Sequence, residues 1–324
     1  MLNALSCWRC AIAAVILPWL VVGAHPAGAD TGSIPSAEAL LQLERPIVIA
    51  HRGYSKFAPE NTRLAFNLAK VAGADLVELD YHHTKDGVPV VIHDPELDRT
   101  TDAVQLWGGS KIRVDSKTLS ELRTLDAGKW FEAEFAGTHL STLGEALDMI
   151  QAGGMTLIER KAGDPGTCVH LLRERNLINQ VVVQSFDWDY LRDFHRMEPR
   201  QVLGALGPPW SRNGRKLEDS EKTLDKSWIE MVEATGARVV VWDRQITREA
   251  VAYAHQRGLK VWVYTIDEPP LANAMLDLGV DGIISNNISL IWRTLALRTD
   301  QRESLSEAAP APANISIRDS SQNP

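Results

Sequence analysis

Eight short apolar runs, separated by amphipathic stretches, govern what this chain can fold into. The runs are Ile47–Ala50, Leu76–Asp80, Met155–Glu159, Val181–Ser185, Gln201–Ala205, Arg238–Trp242, Lys260–Tyr264 and Gly282–Ser285. Between most of them lie stretches such as Thr62–Lys70 and Thr142–Ile150, with apolar residues at helical spacing. Near-continuous apolar strands alternating with helices give a parallel sheet covered on its outer face. Eight such units over about 250 residues fit an α/β fold of the TIM (β/α)8 barrel type. A doubly wound sheet is the alternative, but no Gly-x-Gly-x-x-Gly follows any run.

One unit is longer than the rest. Asp86-Gly87 reads as a turn into a further short strand ending near His93. From Asp94 to about His139 the chain is polar and irregular, which predicts an extended loop and a small excursion over the barrel mouth. Residues 30–44 read as a short leader, and 30–298 as the barrel domain. The segment 299–324, rich in Ser, Ala, Pro and Asn, reads as a disordered tail.

The first 29 residues read differently. Arg9 is their one charged side chain, an apolar run follows to Ala24, and Ala27-Gly28-Ala29 closes it. That is the layout of a secretory signal peptide, which predicts export to a periplasm or the outside. A membrane anchor is the competing reading, but the run is short for a span and contains Pro18. No later stretch is apolar enough to cross a bilayer, so the mature chain is expected to lack a membrane span. Cys7 and Cys10 leave with this segment, so Cys168 remains alone as a small core residue. The whole chain carries a formal charge of −8, and loss of Arg9 makes it −9. That argues against non-specific nucleic-acid binding, which needs a basic footprint.

The polar residues that carry chemistry sit where barrel strands end, the face that holds active sites in this fold. His51 and Arg52 follow the first strand, Glu78 and Asp80 end the second, and Glu159 and Lys161 end the third. Glu78 and Asp80 are two apart on a strand, so both carboxylates point to one side. Anions buried together are costly unless a cation binds them. Glu159 reaches the same point from the next strand. Three carboxylates without a Cys or paired His favour one hard divalent cation, Mg²⁺ or Ca²⁺. The competing reading pairs an individual carboxylate with Arg52 or Lys161. His51 and His93 are the natural acid–base pair, because histidine titrates near neutral pH. Arg52 and Lys161 suit an anionic phosphate beside the metal.

His51-Arg-Gly53, Pro59-Glu-Asn-Thr62, Glu78-Leu-Asp80, Asp86-Gly87 and His93-Asp94 occur in order with compact spacing. Gln184-Ser-Phe186 and Gly279-Val-Asp-Gly-Ile-Ile284 accompany them. Together they resemble the signature of the glycerophosphodiester phosphodiesterase family. The resemblance implies a TIM barrel, one divalent metal, a small-molecule glycerophosphodiester substrate, and cleavage to sn-glycerol 3-phosphate and an alcohol. It places Glu78, Asp80 and Glu159 at metal positions. His51 falls at the base and His93 at the acid. Arg52, Lys161, Phe186 and Tyr264 fall at substrate-contacting positions. Glu60 is expected to order the first loop. Two stretches depart from the family pattern: Tyr264-Thr-Ile-Asp267 where Trp-Thr-Val-Asn is common, and Ser285-Asn-Asn-Ile288 where Thr-Asp-x-Pro is common. Both are expected on the rim, bearing on the bound alcohol more than on the chemistry.

The nearest rival is phospholipase D-like cleavage of lysophospholipids or sphingomyelin, which needs an apolar groove for an acyl chain. Trp107, Trp130, Phe131, Trp188 and Trp210 are candidates to line one, or to be core. A non-catalytic binding barrel leaves the carboxylate trio and both histidines unexplained. A metal-free phosphatidylinositol-type phospholipase has no use for three clustered carboxylates.

Overall fold

The structure is a computed structural model that describes residues 36–212 and 214–308. Eight parallel strands pair in chain order: β1 (Ile47–Ala50), β2 (Leu76–His83), β3 (Thr156–Arg160), β4 (Val182–Ser185), β5 (Val202–Gly207), β6 (Val239–Trp242), β7 (Lys260–Val263) and β8 (Gly282–Ser285). Ile47 of β1 pairs with Gly282 of β8, and Ile49 with Leu76 of β2, which closes the barrel. Each strand coincides with one of the eight apolar runs.

Alternate strand residues face opposite sides, and the packing separates accordingly. Val48, Val77, Leu79, Ile158, Val183 and Val240 pack with Phe66, Leu147, Leu172 and Ile229 of the surrounding helices. Ile49, Leu157, Val182, Val202, Val241 and Trp262 form a second cluster, the barrel interior. Ala37, Leu40 and Leu41 join that interior cluster. The leader is thus more than a lead-in: its short helix Ala37–Leu40, capped by Ser36, plugs the amino-terminal end of the barrel. The apolar plug leaves the carboxyl-terminal end as the only polar mouth of the interior among the described residues.

After β2 the chain turns at Asp86-Gly87 into the strand Pro89–Val91, antiparallel to β2 with Val91 opposite Tyr81. The excursion that follows is more ordered than its polarity predicts. Short helices occupy Ala103–Trp107 and Leu119–Leu122, and Leu97, Ala103, Val114, Leu122 and Leu125 form a separate small core. Its apolar residues are too irregularly spaced to show helical or strand periodicity, which is why the sequence reads as loop.

The expected tail needs correcting at its start. The last helix spans Ile288–Ala308, so residues 299–308 are helical. Ile288 and Ile291 dock the first turn against the barrel, and Gln301, Arg302, Glu303, Leu305 and Ala308 are good helix formers onto which a nucleated helix propagates. Residues 309–324 and the signal-like segment 1–29 lie outside the described residues. Cys168 is buried on the helix Pro165–Glu174, and burial pushes its thiol up to about 12, as suits an inert core residue.

Candidate active site

The His51-Arg52-Gly53 motif is a bend. Arg52 and Gly53 both take left-handed backbone, at φ 56° and 78°. At Gly53 an added Cβ would lie 2.7 Å from Ala65, so the position is closed to other residues. The bend aims the Arg52 N–H at Glu78 Oε2, at 2.7 Å. The Pro59-Glu-Asn-Thr62 motif has a parallel logic. Thr62 caps the helix Arg63–Val71, while left-handed Asn61 donates to Asp80 Oδ2 at 2.8 Å and accepts from the Asp80 N–H.

The structure brings Glu78, Asp80 and Glu159 together as the sequence predicts. All three are buried, and each offers an oxygen within 4.8 Å of the others. Glu78 Oε1 lacks a hydrogen-bond partner, and Asp80 Oδ1 and Glu159 Oε1 have only the Lys161 ammonium beside them. Lys161 Nζ stands 3.1 Å from Asp80, and Arg52 Nε 3.5 Å from its other oxygen. The competing reading, carboxylates paired with Arg52 and Lys161, therefore holds in part, but it leaves Glu78 unanswered. Burial, then the charges of Asp80 and Glu159, raise Glu78 well above the usual carboxylate range. Burial, then Asp80, push Glu159 up to about 7 against the opposing Lys161. Burial would raise Asp80 too, but Lys161 and Arg52 outweigh it and hold it below its ordinary value. A donor set of buried carboxylate oxygens, one of them orphaned, fits a hard divalent cation.

Both histidines open on the same cleft of about 1040 Å³. His51 Nδ1 lies 2.7 Å from Asn286 Oδ1, and His93 Nδ1 lies 2.6 Å from Asp94 Oδ1. Burial, then Arg52, lower His51 to about 4. Burial also lowers His93, with Lys161 and Arg52 in the same sense and Asp80 and Asp94 opposing. Sequence reasoning missed the belt that joins the two loops. Arg99, from the excursion, donates to Asp94 at 2.6 Å and to both oxygens of Glu60, and Glu60 accepts from Arg52 at 2.9 Å. Glu60 stands outside the carboxylate trio and orders the loop, as expected. His82, which no motif singles out, lines the cleft and holds the His93 carbonyl at 3.0 Å.

Phe186 and Tyr264 form one wall, edge to face with ring centroids 6.2 Å apart, and Tyr264 donates to the Gly207 carbonyl. Of the five aromatic candidates for an acyl groove, only Trp210 lines this cleft; Trp188 is buried in the helix–barrel core and Trp107 packs on the excursion. The two departures from the family pattern lie on the rim, as expected, and meet each other there. Asp267 and Asn286 bond to each other at 2.6 Å, and Asn286 faces His51. The loop after β7 and the loop after β8 converge there, beside His51.

Chemistry gathered at the carboxyl ends of a closed (β/α)8 barrel places the chain among the barrel enzymes. The model of the glycerophosphoryl diester phosphodiesterase family matches residues 51–290. A glycerophosphodiester phosphodiesterase of Caldanaerobacter subterraneus subsp. tengcongensis is 34% identical over 250 residues, covering 75% of this chain and 95% of that protein. One from Bacillus subtilis is 29% identical, covering 78% and 88%. The structure of an Oleispira antarctica phosphodiesterase, in complex with the product sn-glycerol-3-phosphate, superposes with a TM-score of 0.68 at 27% identity, covering 81% of this chain and 100% of that one. The chain belongs to the glycerophosphoryl diester phosphodiesterase family and is a phosphoric diester hydrolase.

Proposed function

We propose that the protein is an exported enzyme that cleaves glycerophosphodiesters to sn-glycerol 3-phosphate and an alcohol, using one divalent cation and two histidines. The observation that carries this reading is the orphaned Glu78 oxygen beside Asp80 and Glu159, flanked by Arg52, Lys161 and both histidines. Glu78, Asp80 and Glu159 would hold Mg²⁺ or Ca²⁺. Bound there, the cation supplies Lewis-acid polarisation of the phosphodiester and neutralises its charge.

The side chains supply the remainder. Arg52 and Lys161 face the anionic phosphate. His51, kept neutral by burial and Arg52, accepts a proton from the attacking oxygen, which is water or the glycerol 2-hydroxyl. His93, supported by the Asp94 carboxylate, delivers a proton to the departing alkoxide. Phe186 and Tyr264 offer apolar contact to the substrate carbons. No described helix is long and apolar enough to cross a membrane, and the Ala27-Gly28-Ala29 pattern supports a mature amino terminus at Asp30, which amino-terminal sequencing of the secreted chain tests. A chain retaining Met1 in the membrane would overturn that.

The substrate class is tested with glycerophosphocholine, glycerophosphoethanolamine and a lysophospholipid. Turnover of the first two, with sn-glycerol 3-phosphate as a product, is expected. Of the five aromatic candidates for an acyl groove only Trp210 lines the cleft, so preference for the lysophospholipid would reverse the reading.

A further inference from the structure

The two ends of the Asn286 amide face partners of opposite demand. Its Nδ2 donates to Asp267 Oδ2 at 2.6 Å, and its Oδ1 faces His51 Nδ1 at 2.7 Å and accepts from Ser55 Oγ at 2.9 Å. Asp267 is itself fixed, accepting from the Ser285 hydroxyl at 2.9 Å and the Asn286 N–H at 2.8 Å. A carboxylate only accepts, so it compels the amide to present nitrogen to it and oxygen to His51. An amide oxygen also only accepts, so the ring nitrogen opposite must carry a proton. In a neutral imidazole the other nitrogen is then bare.

We propose that Asp267, acting through Asn286, is the positioning residue that fixes the tautomer of His51, with the proton on Nδ1 and the lone pair of Nε2 left for the attacking group. The proposal rests on His51 being the base. It also joins the two departures from the family pattern. Position 267 carries the acid where the pattern has an amide, and position 286 the amide where the pattern has an acid. In this chain the neutral amide stands against the imidazole, and the carboxylate lies one residue further off. The other charged or titratable groups facing His51 are Arg52, Asp80 and His93.

The test uses the ¹⁵N-labelled mature chain with Mg²⁺, reading the His51 ring by long-range proton–nitrogen correlation, with His51→Gln to assign the signal. The wild type is expected to show a protonated Nδ1. Asp267→Asn frees the Asn286 amide to turn, so His51 should populate both tautomers. Its kcat should fall about 10–100-fold, as for other residues that orient a functional group from behind, with KM little changed. The double variant Asp267→Asn/Asn286→Asp keeps the pair complementary and folds even where the single fails. It should recover the Nδ1–H tautomer and most of kcat. It also puts a carboxylate on the ring, so the acid limb of the kcat/KM profile should move to higher pH, which a purely structural contact would not cause. A wild-type ring protonated on Nε2, or an Asp267→Asn ring that keeps Nδ1–H with full kcat, overturns the proposal. The tautomer is read without substrate, so it stands or falls separately from the phosphodiesterase reading.

Discussion

Asp80 and Glu159 stand directly opposite each other on the adjacent parallel strands β2 and β3. Lys161, two residues beyond Glu159, reaches back to both, with its Nζ 3.1 Å from Asp80. The barrel therefore builds an anionic pair into its register and answers it with Lys161 and Arg52, leaving Glu78 in excess. The charge is stored in the folded state and sets the behaviour of the metal-free protein.

Replacing Glu159 by Gln should stabilise the metal-free protein at pH 8 and leave it nearly unchanged near pH 4.5. Glu159 is raised from 4.5 to about 7 in the fold, so the folded chain holds more protons across that interval and the residue's contribution worsens as pH rises through it. The gain at pH 8 should be on the order of 3 kcal/mol, since each tenfold change in proton affinity is worth about 1.4 kcal/mol. Asp80, depressed from 3.8, acts in the opposite sense and only in more acid solution. Comparing variant with wild type by urea titration isolates Glu159 from His51, His82 and His93, whose lowered values act oppositely. Equal stabilisation at both pH values would contradict the assignment.

Lys161→Met should do the reverse. It strips the cation from two buried carboxylates, and breaking a buried pair in this way typically costs about 3–5 kcal/mol. The loss should be largest at pH 8 without metal and shrink when Mg²⁺ or Ca²⁺ is added. A loss indifferent to metal would detach Lys161 from the carboxylate trio.

Asp94→Asn should move the basic limb of the kcat profile to lower pH. Asp94 accepts from His93 at 2.6 Å and so favours the charged ring that an acid requires. Arg99→Ala takes a cation from the other side of Asp94, so the same limb should move slightly the other way, to higher pH. An unmoved basic limb in Asp94→Asn would remove His93 from the acid role.

His51→Ala and His93→Ala should each lose about 10²–10⁴ in turnover of glycerophosphocholine, the usual worth of one acid–base group. A nitrophenyl ester, whose leaving group needs no proton, should partly rescue His93→Ala alone. Rescue of His51→Ala alone would instead exchange the two roles.

The barrel was legible because each strand is buried on both faces and so reads as an unbroken apolar run. The carboxylate trio was legible because strand period two puts Glu78 and Asp80 on one side, and chain order puts Glu159 on the neighbouring strand. What escaped were contacts between segments distant in sequence. Arg99 lies among polar excursion residues with no pattern to single it out, yet it ties Glu60 to Asp94. Asp267 and Asn286 read as unrelated rim departures, because only the barrel's closure makes the loops after β7 and β8 neighbours of His51. The helical stretch 299–308 was hidden by the Ser, Ala and Pro content of the chain beyond it.

The central claim is that the trio of Glu78, Asp80 and Glu159 holds the cation on which phosphodiester cleavage depends. The most direct measurement is glycerophosphocholine turnover by the mature chain, first in EDTA and then with Mg²⁺ or Ca²⁺ restored, beside Asp80→Ala treated the same way. The expected result is no turnover in EDTA, recovery on adding the metal, and no recovery in a folded Asp80→Ala. Undiminished turnover in EDTA, or a fully active Asp80→Ala, would contradict it.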